Sequence, residues 1–209
     1  MLIDISPPIT ERLKVWPGDT PPTRDVLLDM KRGDEVTLST LRATVHLGAH
    51  ADAPCHYGED APGIESRSLH DYLGPCQVVR VVVDRGSRVG LADLKAPIKA
   101  SRVLIATGTN PDPETFREDF AALEPGLVDD LHDRGVRLIG IDTPSVDLFG
   151  AEGLPAHRAF LRHDMAILEG LMLQDVPEGM YELIALPLRL VGYDGSPVRA
   201  VLRPLPGEV

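Results

Sequence analysis

The stretch His46-Leu-Gly-Ala-His-Ala-Asp-Ala-Pro-Cys-His56 holds three of the chain's seven histidines, alternating with small or apolar residues. His46, Gly48, His50, Asp52, Pro54 and His56 share one parity. An extended backbone turns such a set to one face, whereas a regular helix scatters it. A straight strand is nevertheless wrong for chelation, because four residues at ~3.3 Å each hold His46 and His50 about 13 Å apart. The segment must bend. Gly48, lacking a Cβ, is the natural hinge, and Pro54 stiffens the exit.

Imidazole nitrogen and carboxylate oxygen are donors that zinc prefers, with manganese and iron as alternatives where carboxylates are numerous. The segment does not supply enough ligands for two ions. The C-terminal half offers Pro155-Ala-His-Arg158 and Ile167-Leu-Glu-Gly170, although spacing alone does not select them.

Around this stretch, apolar β-rich runs recur at Leu2–Ile5, Glu35–Val45, Gln77–Val83, Arg102–Thr107, Arg137–Asp142, Tyr181–Val191 and Pro197–Leu202, several dense enough to read as buried strands. Helices are fewer. Pro125–Arg134 has proline in its first turn, Leu127, Val128 and Leu131 on one face and Gly135 as a stop; Pro155–His163 is the second. Residues 57–76, rich in Gly, Pro and Asp, read as a functional loop. The alternation predicts an α/β fold, a mixed sheet with flanking helices, formed as one domain over residues 1–209.

Composition excludes several partner classes. A formal charge of −11 without a Lys/Arg run leaves no positive patch for nucleic acid. No window approaches the ~20 apolar residues of a membrane span, and the N-terminus lacks a secretory pattern, so a cytoplasmic location is expected. Cys55 and Cys76 are too few for a disulfide framework. Gly-x-Ser-x-Gly, His-Glu-x-x-His and phosphate-loop motifs are missing, which disfavours serine-hydrolase chemistry.

The His46–His56 segment resembles the His-x-Gly-x-His-x-Asp-x-Pro-x-His signature of the metal-dependent cyclase family, which includes the bacterial kynurenine formamidases (arylformamidases). Val15-Trp-Pro-Gly-Asp-Thr-Pro21, Tyr72-Leu-Gly-Pro-Cys76, Ile139-Gly-Ile-Asp-Thr-Pro-Ser145, Ala166-Ile-Leu-Glu-Gly170 and Val176-Pro-Glu-Gly-Met-Tyr-Glu-Leu-Ile-Ala-Leu-Pro187 extend the likeness over nearly the whole chain. The resemblance implies a swivelling β/β/α fold and two Zn2+ per subunit. His46, His50 and Asp52 would hold one ion, Asp52, His157 and Glu169 the second. It further implies His56 as the catalytic histidine, Trp16 as the substrate-contacting residue and a homodimer or homotetramer. The implied reaction converts N-formyl-L-kynurenine, an aryl formamide of tryptophan breakdown, to L-kynurenine and formate.

Blander roles compete. Trp16, the only tryptophan, is by itself a core anchor; Glu169 alone is a loop carboxylate and His157 a helix-start residue. His70, His132 and His163 read as lone surface histidines. Asp142 reads as a turn former, Gly108 as a turn or a backbone donor, and Cys55 as a packing residue. Arg158 stands where the family often carries another histidine. Two further functions remain open on sequence. One is a relative opening a cyclic amide, as an isatin hydrolase does with one manganese; the other is a catalytically silent metal-binding or assembly protein.

Overall fold

The computed structural model describes residues 1–205. The strands before the first helix are β1 (Ile3–Asp4), β2 (Thr23–Leu28), β3 (Leu38–Arg42), β4 (His50–Asp52), β5 (Leu73–Arg80), β6 (Arg88–Val89), β7 (Arg102–Ala106) and β8 (Ala122–Leu123). There follow α1 (Pro125–Asp133), β9 (Leu138–Ile141), α2 (Pro155–His163), β10 (Ala166–Glu169), β11 (Gly179–Ile184), β12 (Gly195–Pro197) and β13 (Val201–Pro204). Nine strands form one mixed sheet in the order β1-β13-β11-β5-β7-β9-β10-β4-β12. Its centre, β5-β7-β9-β10, is parallel, and the pairs on both sides of that centre are antiparallel.

Apolar residues on both parities explain the parallel centre, since such strands are covered on two faces. Val103, Ile105, Ile139, Ile141 and Ile167 pack with Leu127, Val128 and Leu131 of α1 and Ala156 and Phe160 of α2. Their neighbours Leu104, Leu138, Ala166 and Leu168 belong to a second core with Ala49, Ala51, Ile64 and Leu202. The sheet must also curl. Pro197 in β12 and Val201 in β13 are four residues apart, a reach of at most ~14 Å, yet seven ladder steps separate their strands, about 34 Å in a flat sheet.

Several expected elements differ. The Glu35–Val45 run contracts to β3, which pairs with the unanticipated β2 in a ribbon exposed along its whole length. The Tyr181–Val191 strand stops at Ile184, shortly before Pro187, which has no N–H for the ladder. Pro197–Leu202 divides between β12, at one edge of the sheet, and β13, next to the other edge strand β1. β4 and β10, with no more than four residues each, escaped the sequence reading.

Candidate metal centre

β4 and β10 lie antiparallel with His50 directly opposite Glu169, and Asp52 follows His50 by one strand period on the same face. His50 Nε2 is 3.2 Å from Glu169 Oε2 and 3.5 Å from Asp52 Oδ1. His157, in the first turn of α2, places Nε2 3.5 Å from Asp52 Oδ2 and 3.7 Å from Glu169 Oε1. His46 Nδ1 lies 3.0 Å from Asp52 Oδ1. Thus all five ligand candidates converge, and His50, Asp52, His157 and Glu169 are each at least 96% buried.

The convergence depends on two glycines. Gly48 has φ +59°, and the bend brings the His46 and His50 rings to 5.0 Å between centroids. Gly170, immediately after Glu169, has φ +66°, and a Cβ there would lie 2.2 Å from the Gly48 carbonyl oxygen. Only glycine lets the end of β10 pass so close to the hinge.

Two ligand candidates are also oriented from behind. His50 Nδ1 donates to the Gly48 carbonyl at 2.8 Å, and His157 Nδ1 donates to Asp147 Oδ2 at 2.9 Å, so each aims Nε2 at the cluster. Asp147 also accepts from the backbone N–H groups of Ala156 and His157 and pairs with Arg88 at 3.0 Å. Sequence reasoning missed it, as it missed Asp194, which meets His46 Nε2 at 3.1 Å and lies 3.6 Å from His56 Nδ1. Neither carries a local signal: Asp194 reads as a residue of a Gly-Tyr-Asp-Gly turn, and Asp147 gains its partners only when α2 packs.

Burial opposes charge on Asp52, His46 and His157, and their pairing decides the outcome. Asp52 is desolvated, yet the imidazoles of His157, His46 and His50 hold its carboxyl well below the usual carboxylate range. Against the same penalty, hydrogen bonding to Asp52 and Asp194 raises His46 to about 9. Asp147 and Asp52 raise His157 to about 10. His56 differs, because burial dominates and lowers its pKa.

A divalent cation fits this donor set. Asp52 Oδ2 is buried with no hydrogen-bond partner among the described residues, facing only His157 Nε2 at 3.5 Å, and coordination would satisfy it. Donor atoms of His50, Asp52 and Glu169 all lie within 4.8 Å of one another, as do those of His46, Asp52 and His56. Asp52 is common to both groups, and His157 faces both Asp52 and Glu169.

The cluster floors a cavity of about 370 Å³. Trp16 lines it at half burial, its ring 5.1 Å from Phe149 and 5.6 Å from Phe116, so it is both part of an aromatic group and a wall of the cavity. Asp142 also lines the cavity, but its oxygens accept from Thr107 N, Thr107 Oγ1 and Gly108 N. The Gly108 donor is thus committed to Asp142. Cys55 donates toward the Tyr193 carbonyl and packs on the core. His132 and His163 are not isolated: their rings stack at 4.0 Å where the C-terminal ends of α1 and α2 meet.

Comparison with known proteins fits this geometry. The family model described as "Putative cyclase" matches residues 3–148. The kynurenine formamidase of Bordetella petrii is 44% identical over 206 residues, 98% of each chain. The chain belongs to the cyclase family. A structure described as a "potential metal-dependent hydrolase with cyclase activity" superposes with a TM-score of 0.83 at 30% identity, covering 97% of this chain and 96% of the other. Isatin hydrolase A from Labrenzia aggregata, bound to benzyl benzoate, gives a TM-score of 0.78 at 21% identity, covering 97% and 93%. That last likeness shows the shared fold alone. Membership accounts for the mixed, curled sheet with few helices, and no described helix is long and apolar enough to cross a membrane.

Proposed function

We propose that this chain is an arylformamidase that hydrolyses N-formyl-L-kynurenine to L-kynurenine and formate in tryptophan degradation. The observation that carries the reading is the convergence of His46, His50, His157 and Glu169 on the buried Asp52, whose Oδ2 has no hydrogen bond among the described residues, in a chain 44% identical to a kynurenine formamidase over nearly its full length. We assign His46, His50, Asp52, His157 and Glu169 as ligands of two zinc ions, with manganese as the alternative metal. Bound there, such ions supply Lewis acidity, lowering the pKa of water from 15.7 to about 7 and polarising the formyl oxygen. A single domain over residues 1–209, a cytoplasmic location and a homodimer or homotetramer belong to the same reading. The exposed β2–β3 ribbon, bearing Leu27, Leu38 and Leu41 on its surface, supports assembly, because a two-stranded ribbon is marginal alone in water.

In the reaction, water oxygen bonds to the formyl carbon, the C–N bond breaks and one proton passes to the aniline nitrogen. His56 carries that proton. Burial lowers its pKa and so favours the neutral imidazole that can accept a proton, and the Asp194 carboxylate, 3.6 Å from Nδ1, stabilises the imidazolium by its charge. Trp16 offers its face to the aryl ring. The test is turnover of N-formylkynurenine by purified protein before and after chelation, followed by zinc or manganese restoration. Chelator-insensitive turnover would refute the metal assignment, and activity on isatin with none on the formamide would replace the substrate.

A further inference from the structure

We propose that Lys14 and Asp19, exposed residues that flank Trp16 in the sequence and line the same cavity, form a clamp for a zwitterionic α-amino acid group on the ligand. Among the described residues lining the cavity, Lys14 is the only lysine or arginine, whereas Asp19, Asp142, Glu169 and Asp194 are all carboxylates. Such a wall imposes a direction on a ligand carrying both charges. Its carboxylate is repelled from the acidic interior and drawn to Lys14, which makes no ion pair among the described residues. Its ammonium needs an available carboxylate, and the interior ones are engaged: Asp142 by the 107–108 backbone, Asp194 by His46, Glu169 by the Val146 N–H and His50. Asp19 is the remaining acid. It commits only Oδ2, to the Thr44 hydroxyl at 3.3 Å.

Both side chains spring from a braced backbone. Lys14 N donates to the Pro113 carbonyl at 3.0 Å, and Asp19 N closes a turn onto the Trp16 carbonyl at 2.9 Å. Thr44 links Asp19 to the metal end, since its hydroxyl also accepts from His46 N. An aryl ring on Trp16 thus has its charged arm outside and its formamide inside. The inference rests on the formamidase reading for the ligand's identity, and it explains how that ligand is oriented.

Calorimetric binding of two ligands tests it independently of turnover: L-kynurenine, which carries the zwitterion, and 2-aminoacetophenone, the same aryl ketone without it. We expect Lys14→Ala and Asp19→Asn each to weaken kynurenine about fivefold, the scale of one partly exposed ion pair, and to move the neutral ketone by less than about twofold. Asp19→Asn keeps an acceptor for Thr44, and Lys14→Arg should retain most affinity. Equal weakening of both ligands, or of neither, overturns the clamp. If the wild-type protein cleaves no aryl formamide yet shows this discrimination, the reaction assignment fails and the clamp stands.

Discussion

Replacing Asp147 by asparagine separates a residue that tunes the metal centre from one that merely caps a helix. The buried carboxylate accepts from His157 Nδ1, from two N–H groups in the first turn of α2 and from Arg88. Burial raises its pKa, but these four partners depress it from the ordinary 3.8 to about 2. That depression corresponds to about 2 kcal/mol of folded-state stabilisation, or ~4–8 °C in Tm for a domain of this size. Because the folded pKa is the lower one, the contribution is present above 3.8 and disappears as pH falls toward 2. The gap in Tm between wild type and Asp147→Asn should therefore be full at pH 7 and close in acid. Asparagine can also turn its amide N–H toward His157 Nδ1, misdirecting Nε2, so zinc affinity measured against a chromogenic chelator should fall about 10- to 100-fold. Unchanged zinc affinity together with a lowered Tm would show that Asp147 only caps α2 and would refute the orienting role.

His46→Ala should deplete bound metal measured by elemental analysis, whereas His56→Ala should keep it and lose about 10²- to 10⁴-fold in kcat; equal activity in the latter removes His56 from proton transfer. In the metal-free protein, His46 and His157, raised to about 9 and about 10, carry protons at pH 7 that coordination must expel. Calorimetry in buffers of different ionisation enthalpy should then report about two protons released. Their raised pKa values stabilise the metal-free fold below 6.5 and cease to do so as pH climbs through 9 to 10, so its Tm should decline over that interval. Gly170→Ala, driving a Cβ toward the Gly48 carbonyl, should cost about 2–4 kcal/mol in urea unfolding, while Gly150→Ala, with φ +72° and open space around it, should cost about 1–2 kcal/mol. Equal costs would discount the close approach.

The hinge was legible because it follows from arithmetic on one short segment: alternating parity, a strand rise that separates His46 from His50 too widely, and a glycine between them. The buried parallel strands were legible for a similar reason, since Val103, Ile105, Ile139 and Ile141 lie in runs apolar on both parities. What escaped is whatever pairing creates. β4 reads His-Ala-Asp and becomes a strand only because β10 and β12 hydrogen-bond to its two sides. Glu169 becomes a ligand candidate only because antiparallel register sets it opposite His50, and Asp147 becomes an orienting group only when α2 docks its first turn on it. Lys14, Asp19 and Asp194 look like ordinary surface charges until the curled sheet and its loops close around one cavity. The donor set thus depends on contacts between segments more than 100 residues apart, His50 with Glu169 and Asp52 with His157. A substitution that shifts the register of β10 against β4 by a single residue would turn Glu169 to the opposite face and dismantle the donor set without altering any donor.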